Sequence, residues 1–142
     1  IPKINAKKND RAEEQQNILR KGTGLILVVD DEEITSITAR KILEKCGYNV
    51  ISASDGKTAI SILSDKKTEI SLVILDLSMP GFSGKSTYIK MKEIVPGVKV
   101  LLSSGFKQDH RVNELFDLGI NGFIQKPYTI LDISQKISEI LN

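Results

Sequence analysis

After Gly24 the chain alternates strictly between strand-like and helix-like segments. Apolar runs of strand length are separated by stretches in which apolar residues recur at roughly helical spacing. The runs that read as strands are Leu25–Val29, Tyr48–Ala53, Leu72–Leu75, Val98–Leu102 and Asn121–Ile124. Five strand–helix pairs in this order predict an α/β fold, in which a doubly wound, five-stranded parallel sheet carries five helices on its two faces.

The helix-like segments carry apolar residues at helical spacing, and two of them show end signals. The first helix is predicted to stop at Gly47, and Asp55 is placed to cap the second. Cys46, at the end of the first helix, is expected to be a small buried apolar group. The apolar positions are Ile34, Ile37, Ile42, Leu43 and Cys46; Ala59, Ile60 and Leu63; Tyr88, Met91 and Val95; Val112, Leu115 and Phe116; and Ile130, Ile133, Ile137 and Ile140.

Residues 1–23 are polar and are interpreted as a linker or extension, which leaves residues 24–142 as the folded domain. Six basic and three acidic side chains give residues 1–24 a charge of +3, so the remainder carries −1 of the total of +2. The domain therefore lacks the basic patch typical of nucleic-acid binding. A single cysteine fits a reducing compartment, and the longest apolar runs are too short to span a bilayer. These features predict a cytoplasmic domain without membrane insertion, although a longer parent chain anchored in a membrane is compatible with them.

The polar residues of interest lie where the predicted strands end. All carboxyl ends of parallel strands meet at one edge of the sheet, and ligands bind there in open α/β sheets. The residues at this edge are Asp30 and Asp31 after the first strand, Asp76 after the third, Ser103 and Ser104 after the fourth, and Lys126 and Pro127 after the fifth. Three neighbouring carboxylates repel one another, and a divalent cation relieves that repulsion. Oxygen donors without His or Cys favour Mg²⁺, with Mn²⁺ as a substitute.

This set of residue types suits phosphoryl transfer. A carboxylate beside a divalent cation can attack phosphorus and form an acyl phosphate, and it needs no general base because it is already ionised. Lys126 would pair with one phosphate oxygen, and the hydroxyl of Ser104 would hydrogen-bond another. Catalysis would then be almost entirely electrostatic preorganisation.

Taken together, the motifs resemble the receiver domains of bacterial response regulators over about residues 24–142. The matching elements are Asp30-Asp31, Asp76 with Met79-Pro80 and Gly84, Ser104-Gly105, Gly119, Phe123 and Lys126-Pro127. The resemblance implies a flavodoxin-like fold with strand order 2-1-3-4-5 and a role in a two-component phosphorelay. In such a relay a histidine kinase or histidine phosphotransfer domain donates a phosphoryl group to Asp76, and the face built from the fourth helix, fifth strand and last helix switches.

The resemblance also implies a role for each matched residue. Asp76 is the phosphoacceptor and a metal ligand, Asp31 binds Mg²⁺ directly, and Asp30 usually binds it through water. Ser78 ligates the metal through its backbone carbonyl, and Lys126 pairs with the phosphate. Ser104 is the switch hydroxyl, Phe123 is the aromatic whose burial changes with it, and the bond to Pro127 is cis. Ser78 and Phe106 also occupy positions that tune dephosphorylation.

Simpler interpretations of single residues stay open at this stage. Asp30 and Asp31 could only cap the first helix, and Asp76 could be an ordinary turn residue. The alternatives for the switch positions are Ser103 as the hydroxyl in place of Ser104, and Phe123 as a plain core residue. His110, which opens a helix in a polar stretch, is expected to be a solvated surface residue and not a phosphodonor.

Three other functions compete with a phosphorylatable receiver. A haloacid-dehalogenase-like phosphatase would want a second acid two positions after Asp76, where the chain has Ser78. A nucleotide-binding or flavin-binding domain would need a Gly-rich turn after the first strand. A non-phosphorylatable docking receiver would not need the full set of charged groups.

The isolated domain is not expected to be an enzyme beyond catalysing its own phosphorylation and dephosphorylation. The preferred context is the C-terminal receiver of a hybrid histidine kinase, with a stand-alone regulator as the alternative. A homodimer through the last helix is compatible with either.

Overall fold

The computed structural model describes residues 21–79, 83–105 and 110–142. The strands are β1 (Leu25–Val29), β2 (Asn49–Ala53), β3 (Ile70–Asp76), β4 (Val100–Ser104) and β5 (Gly122–Gln125). The helices are α1 (Glu33–Lys45), α2 (Gly56–Asp65), α3 (Gly84–Ile94), α4 (His110–Asp117) and α5 (Ile130–Leu141). Most of the predicted linker at 1–23, together with Pro80 and Phe106, lies outside the described residues.

The five strands form one parallel sheet in the order β2-β1-β3-β4-β5, which confirms the predicted α/β fold and strand order. β1 lies between β2 and β3, and the direction of winding reverses at the β1–β3 pair. Because crossovers on the two sides of this point run in opposite directions, a crevice opens at the carboxyl ends of β1 and β3.

Helices cover both faces of the sheet and bury two apolar clusters. α2, α3 and α4 pack on one face, where their core residues include Ala59, Tyr88 and Leu115. α1 and α5 cover the other face through residues that include Leu43 and Ile137. The central strands are apolar on both sides, as expected for a sheet that is buried on both faces.

The helix end signals behave as the sequence predicts. Asp55 is the N-cap of α2, and its Oδ1 accepts a hydrogen bond from the Thr58 amide at 2.7 Å. Cys46 is fully buried at the end of α1, and Gly47 follows it with a φ of +100°. A side chain at residue 47 would also collide with the carbonyl oxygen of Gly22, only 2.4 Å from the position of a Cβ.

Part of the apolar stripe predicted for the first helix is not buried. Ile34 is 81% exposed and Ile37 is 44% exposed, whereas Ala39 and Leu43 form the buried face of α1. Ile34 and Ile37 lie near the start of the helix and on another side of it, so spacing alone placed them in a stripe that they do not share with the core. Within the described residues, no helix is both long enough and apolar enough to cross a bilayer.

Candidate functional site

Strand ends bring three acidic residues together at the carboxyl edge of the sheet. Asp76 is the last residue of β3, and Asp30 follows β1 directly. The backbone amide of Asp30 donates to the carbonyl of Ala53 at the end of β2, at 3.0 Å, which continues the β1–β2 pairing up to the acidic residue. The site therefore lies at the crevice where the winding of the sheet reverses.

The carboxylates of Asp30, Asp31 and Asp76 are close enough to share one ion. One oxygen from each lies within 4.8 Å of the others. Asp76 is 1% exposed and Asp30 is 5% exposed, whereas Asp31 faces solvent. An ion held here would thus bind at the mouth of the crevice, between two buried carboxylates and one exposed carboxylate.

Lys126 bridges the two buried carboxylates. Its Nζ donates to Asp30 Oδ2 at 2.8 Å and to Asp76 Oδ2 at 3.0 Å. The backbone of Lys126 is fixed as well, because its amide donates to the carbonyl of Ser104 at 2.8 Å. The peptide bond from Lys126 to Pro127 is cis, as the resemblance implies.

The charges at the site favour the binding of a divalent cation. Burial raises the pKa of Asp30 above its ordinary value, although Lys126 and the Glu32 amide pull it down. Burial lowers the pKa of Lys126, but its bonds to Asp30 and Asp76 outweigh burial, and the net pKa is raised. Three carboxylates and one ammonium leave a net charge of −2 in a partly buried crevice. This charge and the all-oxygen donor set fit Mg²⁺.

The backbone after Asp76 is held in place by several hydrogen bonds. The Ser78 amide donates to Asp76 Oδ1 at 3.0 Å, and the Leu77 amide donates to the carbonyl of Ser103 at 2.9 Å. The carbonyl of Leu77 accepts a hydrogen bond from the guanidinium of Arg111 in α4. Sequence reasoning missed Arg111, because no motif marks it and its contact depends on how α4 sits against this loop.

The two candidate switch hydroxyls are both buried at the end of β4. Ser103 pairs with Asp76 in the register of the sheet, whereas Ser104 pairs with Gln125. Phe123, the predicted switch aromatic, is partly buried in β5 and packs against the core cluster beneath α2, α3 and α4. The structure thus places Ser104 and Phe123 on neighbouring strands near the site, with Ser103 still an alternative.

The simpler interpretations of the aspartates are only partly supported. The N-cap of α1 is Glu32, without a side-chain cap bond, while Asp30 Oδ1 accepts from the Glu32 amide at 2.9 Å. Asp76 does form a turn bond to Ser78, but it also contacts Lys126. Neither Asp30 nor Asp31 is the N-cap of α1, and the local turn bonds of Asp30 and Asp76 coexist with the shared acidic site. His110 is exposed at the start of α4, as expected.

Comparison with known proteins agrees with this geometry. The family model described as "Response regulator receiver domain" matches residues 26–138, most of the chain. The chain belongs to the response regulator receiver domain family. Receiver domains are phosphorylatable modules of two-component signalling, and in general they interact with histidine kinases or phosphotransfer proteins.

Individual relatives are similar over most of this receiver domain. The sensor kinase CckA of Brucella abortus is 26% identical over 120 residues, which is 84% of this chain but only 13% of CckA. A receiver domain structure from Clostridium thermocellum has a TM-score of 0.79 and 28% identity, covering 84% of this chain and 94% of that one. The CheX–CheY–BeF3–Mg complex from Borrelia burgdorferi gives a TM-score of 0.78 and 25% identity, covering 84% and 90%.

Proposed function

We propose that this receiver domain accepts a phosphoryl group on Asp76 in a Mg²⁺-dependent reaction. The observation that carries the proposal is the bridge from Lys126 to both Asp30 and Asp76 beside a third carboxylate. A partly buried lysine held by two carboxylates provides a fixed positive charge at the position where a transferred phosphoryl group would develop negative charge.

Asp76 would act as the nucleophile. Its carboxylate needs no general base, and the hydrogen bonds to Ser78 and Lys126 fix its orientation for in-line attack on phosphorus. The nitrogen–phosphorus bond of the donor phosphohistidine breaks as an Asp76 carboxylate oxygen bonds to phosphorus, and the neutral imidazole leaves after protonation by solvent. With acetyl phosphate an oxygen–phosphorus bond breaks instead, and acetate leaves. On transfer, Lys126 would give up part of its contact with the Asp76 carboxylate and pair with a phosphate oxygen instead.

Mg²⁺ would be held by the carboxylates of Asp30, Asp31 and Asp76 and by the backbone carbonyl of Ser78. When bound, it would neutralise charge on the transferring phosphoryl oxygens. Asp31 is the exposed member of this set, so it is the carboxylate best placed to admit the ion from solvent. Asp30, which is buried and already paired with Lys126, suits the water-mediated role that the resemblance implies.

The output of the reaction would be a change in the face formed by α4, β5 and α5. The new charge on Asp76 would draw in the hydroxyl of Ser104, and Phe123 would move with it, which shifts a pre-existing equilibrium between two conformations. A histidine kinase or histidine phosphotransfer domain would supply the phosphoryl group. A cytoplasmic location, the linker at 1–23 and the hybrid-kinase context belong to the same proposal.

A phosphatase of the haloacid-dehalogenase type is the less favoured function. Ser78 stands two positions after Asp76, where that chemistry wants a second acid, and the hydroxyl of Ser78 cannot serve as that acid at neutral pH. A docking receiver that is never phosphorylated would have no need to hold Lys126 between two buried carboxylates, at a cost in desolvation.

Incubation with acetyl phosphate, with Mg²⁺ or with a chelator, tests the proposal by intact-protein mass. The wild type should gain one phosphoryl group only with Mg²⁺, and Asp76→Asn should gain none. Asp117→Asn, which alters an exposed aspartate at the end of α4, is the matched control and should behave like the wild type. Equal labelling of the wild type and Asp76→Asn would refute the assignment of Asp76.

A further inference from the structure

Arg111 reaches from the first turn of α4 to the loop that follows Asp76. Its guanidinium donates a hydrogen bond to the carbonyl oxygen of Leu77, across 34 positions of sequence. The side chain is partly buried in this position. Leu77 stands between Asp76 and Ser78, so the contact falls within the proposed acceptor and metal-binding loop.

The peptide unit between Leu77 and Ser78 is held from both sides. Its carbonyl accepts from Arg111, and its N–H, which belongs to Ser78, donates to Asp76 Oδ1 at 3.0 Å. A cation on the carbonyl polarises the peptide unit and makes its N–H a stronger donor. Through this polarised peptide unit, the cation of Arg111 strengthens the hydrogen bond that the Asp76 carboxylate accepts.

We propose that Arg111 is a positioning residue for phosphoryl transfer to Asp76, an inference that rests on the proposed function. Its bond to Leu77 fixes the peptide plane that orients one oxygen of Asp76. The same plane sets the direction of the next residue, Ser78, whose carbonyl is a proposed ligand of Mg²⁺. Arg111 therefore supports the nucleophile and the metal site together, from a helix of the proposed output face.

A second contact of α4 offers a matched control. Glu114 lies one turn after Arg111 and forms an ion pair of 2.7 Å with Lys85 at the start of α3. Lys85 and Glu114 are both about half exposed, and their ion pair does not involve residues 76–78. Loss of this pair loosens α4 from its neighbour but leaves the peptide unit between Leu77 and Ser78 unchanged.

The experiment compares the wild type with Arg111→Gln, Arg111→Lys and Glu114→Gln. Three quantities are measured: the rate of phosphorylation by acetyl phosphate against Mg²⁺ concentration, the NMR shift of the Ser78 amide, and the melting temperature. Arg111→Gln should lower the rate roughly threefold to tenfold, which is less than the loss of a donor in direct contact with the reacting atoms. It should also shift the Ser78 amide proton upfield and raise the Mg²⁺ concentration needed for half the maximal rate.

The controls separate positioning from a merely structural role. Arg111→Lys keeps a cationic donor and should recover part of the rate, whereas Glu114→Gln should leave both the rate and the Ser78 amide close to wild type. If Arg111→Gln does not fold, Arg111→Lys decides the matter through its own Mg²⁺ dependence and Ser78 shift. If Arg111→Gln changes neither the Ser78 amide shift nor the phosphorylation rate, the inference about Arg111 is wrong. Equal effects of Arg111→Gln and Glu114→Gln would also contradict it. Either result would leave the proposed function intact. A wild type that accepts no phosphoryl group would instead remove the proposed function, and this inference with it.

Discussion

Lys126 Nζ lies 3.0 Å from Asp76 Oδ2, although the two residues are 50 positions apart in the sequence. The side chain of Lys126 is 15% exposed and that of Asp76 is 1% exposed, so the ion pair is largely removed from water. Because Asp30 shares the same ammonium, a single cation compensates two buried carboxylates. One ammonium therefore leaves one of the two negative charges uncompensated, and a bound cation would reduce the remaining repulsion.

Loss of the Lys126 charge should destabilise the metal-free protein. Lys126→Met leaves two buried carboxylates without their cation, and we expect the free energy of unfolding at neutral pH to fall by about 3 kcal/mol. Urea denaturation in the presence of a chelator measures this change. Lys90→Met, at an exposed position of α3, is the matched control and should change stability by less than about 0.5 kcal/mol. Equal stability of the two variants would show that Lys126 is not needed to compensate the acidic pair.

Mg²⁺ should stabilise the folded protein, because the acidic cluster that we propose as its site exists only in the folded state. At ten times the dissociation constant the gain is about 1.4 kcal/mol, and it is measured as a shift in the unfolding midpoint on titration with MgCl₂. Asp31→Asn should greatly weaken this response, whereas Asp65→Asn, at the exposed end of α2, should retain it. An undiminished Mg²⁺ response in Asp31→Asn would place the ion elsewhere.

The pH dependence of stability without metal should report on Asp30. Burial raises its folded-state pKa above the ordinary value of 3.8, so the folded protein binds this proton more tightly than the unfolded chain. The contribution of Asp30 to stability therefore falls as the pH rises from about 3.8 through the raised pKa. Asp30→Asn should gain stability relative to the wild type over that window, as measured by urea denaturation with a chelator. A constant difference between the two proteins would contradict the raised pKa.

Asp55 is a control whose pKa shift has the opposite sign to that of Asp30. The hydrogen bond from the Thr58 amide lowers the pKa of its carboxyl below 3.8. Its stabilising contribution is thus present above pH 3.8 and is lost as the pH falls through the lowered pKa. Asp55→Asn keeps a good N-cap residue but removes the titrating carboxyl. Its stability should therefore follow that of the wild type above about pH 3.8 and depend on pH differently only below that value.

The switch hypothesis predicts that the two buried serines of β4 differ in effect. With beryllofluoride and Mg²⁺, a ¹⁹F label on phenylalanine should show a changed resonance for Phe123, assigned with Phe123→Leu. Ser104→Ala should reduce that change, because it removes the proposed hydroxyl, whereas Ser103→Ala should retain it. The reverse result would assign the switch to Ser103, which pairs with Asp76 in the sheet.

Much of the fold follows from hydrophobic patterning alone. β1 begins and ends where its apolar run does, because a continuous apolar run of five residues has the length of a buried strand and is too short for a helix. β4 begins two residues later than predicted. The Val98 amide donates a hydrogen bond to the carbonyl of Val95, so this residue belongs to a turn. Strand pairing starts at Val100, whose amide donates to the side-chain oxygen Oδ1 of Asn121. Side-chain bonds between distant residues, such as this one, are not visible in a local pattern.

The acidic cluster could likewise be predicted from sequence, because topology brings strand ends to one edge whatever the details of packing. The bond from Arg111 to Leu77 could not, since it depends on the position of α4 relative to a loop from another part of the sheet. The exposure of Ile34 could not be predicted either, because helical spacing does not show which side of α1 faces the sheet, and Ile34 lies on another side from Ala39 and Leu43.

The most direct test of the central claim is to locate the acyl phosphate itself. Protein treated with acetyl phosphate and Mg²⁺ is reduced with borohydride, which converts an aspartyl phosphate to homoserine, and the digest is sequenced by tandem mass spectrometry. We predict homoserine at position 76 alone, and only when Mg²⁺ is present. Homoserine at position 30 or 31, or modification at position 76 that is independent of Mg²⁺, would contradict the account.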